Sequence, residues 1–238
     1  MVTLPTTVAA QTSTYSQPVG ADTFVSSGQP NTGFGLHGAM EIAAPTAAQP
    51  RTLLTLLRLD TAGLQASFDA DFGAGNWTVT FVTLTLFSNV ASAGQQPGNG
   101  SFNRIAAGGF EFDLLGNNNW NENAITWNTL PAILPGAGST NTLTSLGNYF
   151  WPASGAGSST WALANDPALA QKIQTGDAVT ILGQPTVGST VGYLINTSPL
   201  RPGFLNVTAE AVPEPATFRL LAFALGITRG LRLFCGRK

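Results

Sequence analysis

The feature that most constrains the fold is an alternation of apolar and hydroxyl-bearing residues with a period of two. It is clearest in "NWTVTFVTLTLFSNV", residues 76–90. A period of two places successive side chains on opposite faces of a strand, and β-branched residues suit the pleated surface of a sheet. The apolar phase shifts at Phe81–Val82, which predicts either a bulge or a change of sheet at that point.

Further segments with strand character are separated by turns rich in Gly, Asn and Pro. They cover residues 22–26, 39–44, 52–60, 109–115, 124–128, 159–164, 178–183, 191–196 and 204–211. About ten short strands with this spacing are typical of an antiparallel sandwich or jelly roll. We therefore predict an all-β chain with one jelly-roll-like β-sandwich domain over residues 20–211, because no linker divides that range.

One helix is marked by the residues at its ends. Asp166 is a preferred N-cap, Pro167 suits the first helical position, and Gly176 suits the left-handed residue beyond the last turn. We predict a short helix over residues 167–175, with its apolar residues packed over one open end of the sandwich. A shorter helical turn is predicted over residues 61–68.

Charge is scarce and unevenly distributed along the chain. Charged residues make up 9% of the sequence, against about 25% in a typical soluble protein. The first 212 residues are acidic overall, whereas residues 213–238 hold five of the ten Lys and Arg residues. An acidic body lacks the basic surface that nucleic-acid binding requires, so we expect no nucleic-acid partner.

The counts of cysteine and histidine exclude several kinds of site. A single cysteine, Cys235, excludes an intramolecular disulfide framework and a multi-cysteine zinc site. The single histidine, His37, excludes a histidine cluster for a metal, and a Ser-His-Asp triad would have to use it. His37 lies in a glycine-rich stretch, where we expect a loop or strand-edge residue without a catalytic role. Cys235 is either a bystander or a lipidation site.

Residues 1–19 allow two interpretations. Val8, Ala9 and Ala10 precede Gln11 with small residues at the positions that a signal peptidase requires, although the charged start of a signal peptide is missing. The segment is therefore either the remnant of a longer signal peptide or a polar N-terminal arm.

Several stretches of the body follow one another in a recognisable order. They are "ADTFVSSGQPNTGFG", "RTLLTLLRLDTAGL", "VTFVTLTLF" and "AITWNTLP", followed by a Trp-containing strand, a short helix, "AVTILG" and "PGFLNVT". This order resembles the bacterial extracellular family known as the DNRLRE or carbohydrate-binding-module-like domain. The resemblance implies a jelly roll and a non-catalytic module of secreted proteins, which binds polysaccharide in some relatives.

The last segment, residues 212–238, joins a Pro-Glu-Pro element to an apolar run and a basic end. The element consists of Val212, Pro213, Glu214, Pro215, Ala216 and Thr217. This order resembles the bacterial PEP-CTERM sorting signal. The resemblance implies export, a transient contact of the tail with the inner membrane, and cleavage by an exosortase. The protein would then reside at the cell surface or in the extracellular matrix.

The apolar run of this tail is short. Residues 220–228 form an uninterrupted stretch of nine, whereas a membrane-spanning helix needs about 20 apolar residues. We expect a tail helix that is either the sorting signal, in a working or a degraded form, or an ordinary amphipathic helix.

Three aromatic residues are candidate glycan-binding residues. Trp120, and Tyr149 with Trp151, lie in stretches rich in Asn, Gly and Pro. An exposed ring can stack on a sugar while neighbouring amides bind the sugar hydroxyls. The alternative is that the rings fold back and cap an end of the sandwich. Trp127 and Trp161 lie in strand patterns, and we predict that they belong to the core.

Two groups of carboxylates are candidates for chemistry. Glu111 and Asp113 would share one face of a strand, where they form either a polar surface or a glycosidase-type pair. Asp69, Asp71 and Asn76 could supply oxygen ligands to a structural Ca²⁺ in a turn. We expect no other cofactor.

Together these features favour a non-catalytic exported protein of the cell surface or extracellular matrix, which acts by adhesion or polysaccharide binding. The alternative is an extracellular enzyme, a lyase or glycosidase, that acts on polysaccharide. The sequence favours the first function because it has neither a histidine cluster nor an evident carboxylate cleft.

Overall fold

The computed structural model describes residues 11–88, 106–152, 157–196 and 202–212. Within these ranges the chain forms eleven strands, two α-helices and one short 3₁₀ helix (Leu130–Ala132). In chain order the strands and α-helices are β1 (Thr12–Pro18), β2 (Ala21–Ser26), β3 (Ala39–Ala43), β4 (Leu53–Leu59), α1 (Ala62–Phe72), β5 (Trp77–Ser88), β6 (Gly108–Leu115), β7 (Leu143–Trp151), β8 (Gly157–Ala162), α2 (Pro167–Thr175), β9 (Val179–Pro185), β10 (Gly192–Asn196) and β11 (Phe204–Ala211).

The strands form two main antiparallel sheets. Sheet I has the order β8-β5-β11-β1, and Sheet II has the order β2-β4-β9-β6-β7. The pair formed by β3 and β10 joins the two sheets through the single residue pairs Ala43–Leu53 and Ile195–Ser88. The hydrogen-bonded path is therefore continuous although the fold has two layers, and the predicted all-β sandwich is confirmed.

The main core lies between the two sheets. Alternate residues of β5, β6 and β11 point into it, and its largest fully buried side chains include Tyr193, Phe24, Phe68, Phe110 and Phe112. The two helices contact each other; α1 packs against Sheet I, and α2 packs against β5 of Sheet I and β9 of Sheet II. Each contributes two fully buried apolar side chains, which are Leu64 and Phe68 from α1 and Leu169 and Ile173 from α2.

The helix predicted from its end residues is confirmed. The Asp166 carboxylate accepts hydrogen bonds from the backbone N–H groups of Ala168 at 2.9 Å and Leu169 at 3.0 Å. Gly176 ends α2 in the left-handed region with a φ of 71°, where an L side chain is strained. The turn predicted over residues 61–68 is longer than expected, because α1 continues to Phe72.

The phase shift in β5 is a bulge. Thr208 of β11 pairs with Phe81 and the next residue, Ala209, pairs with Val79, so Thr80 is the extra residue. The bulge turns the Phe81 ring away from the core, and 52% of it is exposed. Val82 is buried again, as the apolar phase of the remaining strand requires.

A second, smaller core lies on the outer face of Sheet II. The segment over residues 116–142 folds back over this face and buries apolar side chains against it, namely Trp120, Ile125, Leu130 and Ile133 over Val25, Leu54, Leu56, Leu115 and Leu182. The strand predicted over residues 124–128 is wrong, since these residues form turns within the covering segment. Trp127 is only partly buried and packs against this second core.

Two strands of the sandwich were not predicted, β1 and β7. β1 pairs with β11 along its whole length, from Thr12 opposite Glu210 to Pro18 opposite Phe204. The sandwich therefore begins at Thr12 and not at residue 20. β7 forms the edge of Sheet II and pairs with β6.

Candidate functional site

Trp120 is not the exposed ring that the sequence predicted. Only 6% of the residue is exposed, and it belongs to the second core. Its indole N–H donates to Thr180 Oγ1 at 3.0 Å. The Arg58 guanidinium lies 4.9 Å from the ring centroid and donates to the Trp120 carbonyl at 2.7 Å. The apolar outer face of Sheet II beneath the loop explains the burial.

Trp151 and Tyr149 also point into the protein. Trp151 is 4% exposed, and its ring centroid lies 4.3 Å from that of Tyr193. The Tyr149 hydroxyl lies within hydrogen-bonding distance of the carbonyls of Leu146, at 3.0 Å, and Ala162, at 2.7 Å. Burial raises the pKa of Tyr149 to about 12. Of the two interpretations of the tryptophan rings, exposure is wrong and folding back into the protein is observed. Tyr149 links β7 to the end of β8.

The candidate calcium ligands are not brought together. Asp69 and Asp71 lie in α1 and not in a turn, and residues two apart on a helix point in different directions. Asp69 accepts a hydrogen bond from the Trp77 indole N–H at 2.7 Å, and Asp71 accepts one from the Tyr15 hydroxyl at 2.8 Å. Asn76 lies beyond the turn that follows the helix. Within the described ranges no three His, Cys, Asp or Glu side chains are grouped to hold a metal.

Glu111 and Asp113 do share one face of β6, as the sequence predicted. The side-chain amide of Gln184, on the neighbouring β9, donates to Glu111 Oε1 at 2.8 Å and to Asp113 Oδ2 at 2.9 Å. Burial, followed by the charge of Glu111, raises the pKa of Asp113 to about 6. A single amide therefore fixes both carboxyl groups on the outer face of Sheet II.

An exposed aromatic ring lies beside these carboxyl groups. On β7, Asn148 is opposite Glu111 and Phe150 is opposite Gly109. Directly opposite residues share a face, so Asn148 and Phe150 point outward with Glu111. Phe150 is 65% exposed. We call this surface the Phe150 face and define it by Glu111, Asp113, Asn148, Phe150 and Gln184.

Sequence reasoning missed Phe150 although its two neighbours were named. Tyr149, Phe150 and Trp151 are consecutive in one strand, so Phe150 must point away from the other two. The sequence does not show which set faces the core. Opposite Phe112–Asp113 the register shifts, because β7 has one residue more than β6 there. This shift determines which side chains at the Trp151 end of β7 point toward the core.

A separate open pocket of about 320 Å³ lies beside the turn after β2 and the segment that precedes β4. Its lining residues are Gly28, Ala48, Gln49, Pro50 and Arg51. The pocket has no aromatic side chain, and none of the residues singled out from the sequence lines it.

The predicted sorting motif lies almost wholly outside the described residues. Val212 is 48% exposed, and its backbone N–H donates to the Asn76 carbonyl at 2.8 Å. Pro213, Glu214, Pro215, Ala216 and Thr217 lie outside the described residues. Among the helices of the described ranges, none has the length and apolar character needed to cross a membrane.

No known protein-family model matches the chain, and no curated protein matches it significantly. Among the described residues, the features that bear on function are the Phe150 face and the two ends of the sandwich.

Proposed function

We propose that the chain is an exported, non-catalytic protein with a jelly-roll-like sandwich, which binds a neutral extracellular polysaccharide through the Phe150 face. The observation that carries this proposal is the exposed Phe150 ring beside a fixed row of carboxyl and amide groups. An aromatic ring in this setting can stack on the apolar C–H face of a pyranose ring.

The polar groups of the face suit sugar hydroxyls. Carboxylate oxygens accept hydrogen bonds and have several lone-pair sites each, so Glu111 can accept further bonds while it holds the Gln184 amide. The Asn148 amide can both donate and accept. These side chains stand on paired strands, which position a site more accurately than loops do. The negative charge of Glu111 disfavours uronic-acid polysaccharides, which are anionic.

One observation favours a glycosidase as the second candidate function. The Glu111 and Asp113 oxygens touch the same nitrogen. These two oxygens are therefore at most about 6 Å apart, a limit that is compatible with the ~5–5.5 Å separation of a retaining pair. A carboxyl group with a pKa of about 6 also suits a general acid. However, Asp113 is only 4% exposed, which hinders its approach to a glycosidic oxygen, so binding is the better-supported function.

The ends of the sandwich fit an exported and processed protein. β1 begins at Thr12, after the small residues that end at Ala10, and β11 ends at Ala211, just before the Pro-Glu-Pro element. Cleavage after Ala10 and after Thr217 would therefore leave every described strand intact. We propose that an exosortase-type enzyme processes the tail after a transient inner-membrane contact, and that the mature protein resides at the cell surface or in the matrix.

Affinity electrophoresis against neutral and uronic-acid polysaccharides tests the binding proposal. We expect Phe150→Ala to weaken retardation by a neutral polysaccharide several-fold, with little change in melting temperature because the ring is mostly exposed. Leu143→Ala is the matched control, since Leu143 is an exposed apolar residue at the other end of the same strand. Full retardation of Phe150→Ala would refute the proposed site. Depolymerisation that is lost in Glu111→Gln would identify a glycosidase.

The sorting proposal is tested by the mass of the protein recovered from its native cell, with sequencing of its C-terminal peptide. We expect the mature chain to end near Thr217. Processing of a Pro213→Ala/Pro215→Ala variant at the normal rate would show that the motif is not the signal.

A further inference from the structure

The outer face of Sheet I carries hydroxyl groups on all four of its strands. The Thr14 and Thr208 hydroxyls lie 2.8 Å apart between β1 and β11. On β8 the exposed Thr160 hydroxyl lies 2.8 Å from that of Thr85 on β5, which is itself buried. Directly opposite residues share a face, so the register also places Ser16, Asn206, Thr83 and Thr78 on this surface.

This surface is almost free of charge. Of the outward-facing residues on the described parts of β1, β5, β8 and β11, only Glu210 has an ionisable side chain. A surface with this character cannot attract nucleic acid or an anionic polysaccharide, because both need cationic groups. The hydroxyl groups of this surface and its near absence of charge complement a neutral polyhydroxylated ligand.

Aromatic rings occur at two points along this face. The bulge at Thr80 turns Phe81 outward, where it lies opposite Thr208 and is 52% exposed. Bulges are known to re-aim side chains at functional sites. Phe87 and Phe204, with centroids 6.1 Å apart, lie farther along the same face. Phe81 and Phe87 are separated by about 20 Å along the strand, which suits an extended chain of several sugars.

From this arrangement we infer a second polysaccharide-binding surface, which we call the Phe81 face and define by Phe81, Thr14, Thr208, Thr83 and Asn206. It rests on the proposed function and extends it. The Phe81 face and the Phe150 face lie on opposite outer surfaces of the sandwich, so one polysaccharide chain cannot lie along both. One molecule therefore binds two neutral polysaccharide chains and cross-links them.

The test compares binding with cross-linking in the full chain. Binding of a neutral oligosaccharide is measured by titration calorimetry, and cross-linking of the matching soluble polysaccharide is measured by light scattering. We expect wild type to bind about two oligosaccharides per monomer. As wild type is added to the polysaccharide, light scattering should rise to a maximum and then fall, because at excess protein each molecule occupies one chain and no longer links two. Phe81→Ala and Phe150→Ala should each bind about one, without cross-linking, and the double variant should bind none.

Thr14→Lys supplies an independent variant of the Phe81 face at an exposed edge position, and Leu143→Ala is the control that should cross-link like wild type. Thermal melts confirm that each variant is folded. If Phe81→Ala and Thr14→Lys both cross-link normally, or if Phe150→Ala binds nothing, the second surface is refuted while the proposed function stands. If wild type binds no neutral polysaccharide, both proposals fail.

Discussion

Replacing Trp120 by Ala should destabilise the protein without changing the Phe150 face. The residue is 6% exposed in the second core, and truncation of a buried Trp to Ala costs about 3–5 kcal/mol. The change also removes the partner of the Thr180 hydroxyl and the ring beneath Arg58. An orphaned buried hydroxyl costs about 1–3 kcal/mol, and an Arg–aromatic contact is worth about 0.5–2 kcal/mol. Because such contributions overlap, we expect a loss near the upper end of the truncation range.

Urea denaturation followed by circular dichroism measures this loss. For a domain of this size, each kcal/mol lowers the melting temperature by about 2–4 °C. Trp120→Phe separates the contributions, since it keeps a six-membered ring but removes the pyrrole ring and, with it, the indole N–H donor to Thr180. We expect that variant to lose about 1–3 kcal/mol.

The buried position of Trp120 would be refuted if Trp120→Ala were as stable as wild type and bound polysaccharide more weakly. That result would place the ring at the surface, as its amide-rich loop first indicated. Phe150→Ala is the comparison, because it should show the reverse: normal stability and weaker binding.

Three other changes give separate tests. Because the pKa of Asp113 is raised to about 6 in the folded protein, its protonated form stabilises the fold at low pH, and this contribution is lost as the pH rises from about 4 to 6. Asp113→Asn should therefore be up to about 2 kcal/mol more stable than wild type at pH 8 and should lack this pH dependence in urea titrations. Asp166→Ala should lose about 1 kcal/mol through the missing cap of α2, and Asp166→Asn should lose much less. A chain of residues 11–212 should keep the urea midpoint of the full chain, and a clear drop would show that the removed residues contribute to folding.

The sequence predicted best the elements whose signals are local. The cap, the first-turn proline and the terminal glycine of α2 act within a few residues of the helix, so the bounds at Asp166 and Gly176 could be read directly. The bulge in β5 was predictable for the same reason, because an apolar phase shift at Phe81–Val82 is visible in the strand itself.

The edge strands were harder to predict. β1 reads TSTYSQP and alternates only between exposed and partly buried positions, because an edge strand under a helix buries little apolar surface. Its formation depends on β11, almost the whole chain away, which supplies the hydrogen bonds that the local sequence cannot show. Thr12–Pro18 therefore looked like a polar arm.

The candidate site was misjudged because its exposure depends on tertiary packing. Asn and Gly around Trp120 indicated an exposed loop, but the outer face of Sheet II presents Leu56 and Leu182, and the loop covers them. The same packing explains why the apolar residues at 124–128 form turns and not a strand. Phe150 could be assigned to the surface only once the structure showed which side chains of β7 point toward the core.

The pairing of β1 with β11 has a mechanical consequence. Ala211 donates to the carbonyl of Gln11 at 3.0 Å, so both ends of the sandwich emerge at one pole, and β11 runs between β1 and β5. If the protein is held by its C-terminal end while a ligand on β5 is pulled, the load is directed along β11. The hydrogen bonds that β11 makes with β5 are then sheared together and are not opened one at a time. A tether attached at this position therefore places the load on one of the most fully paired strands of the sandwich.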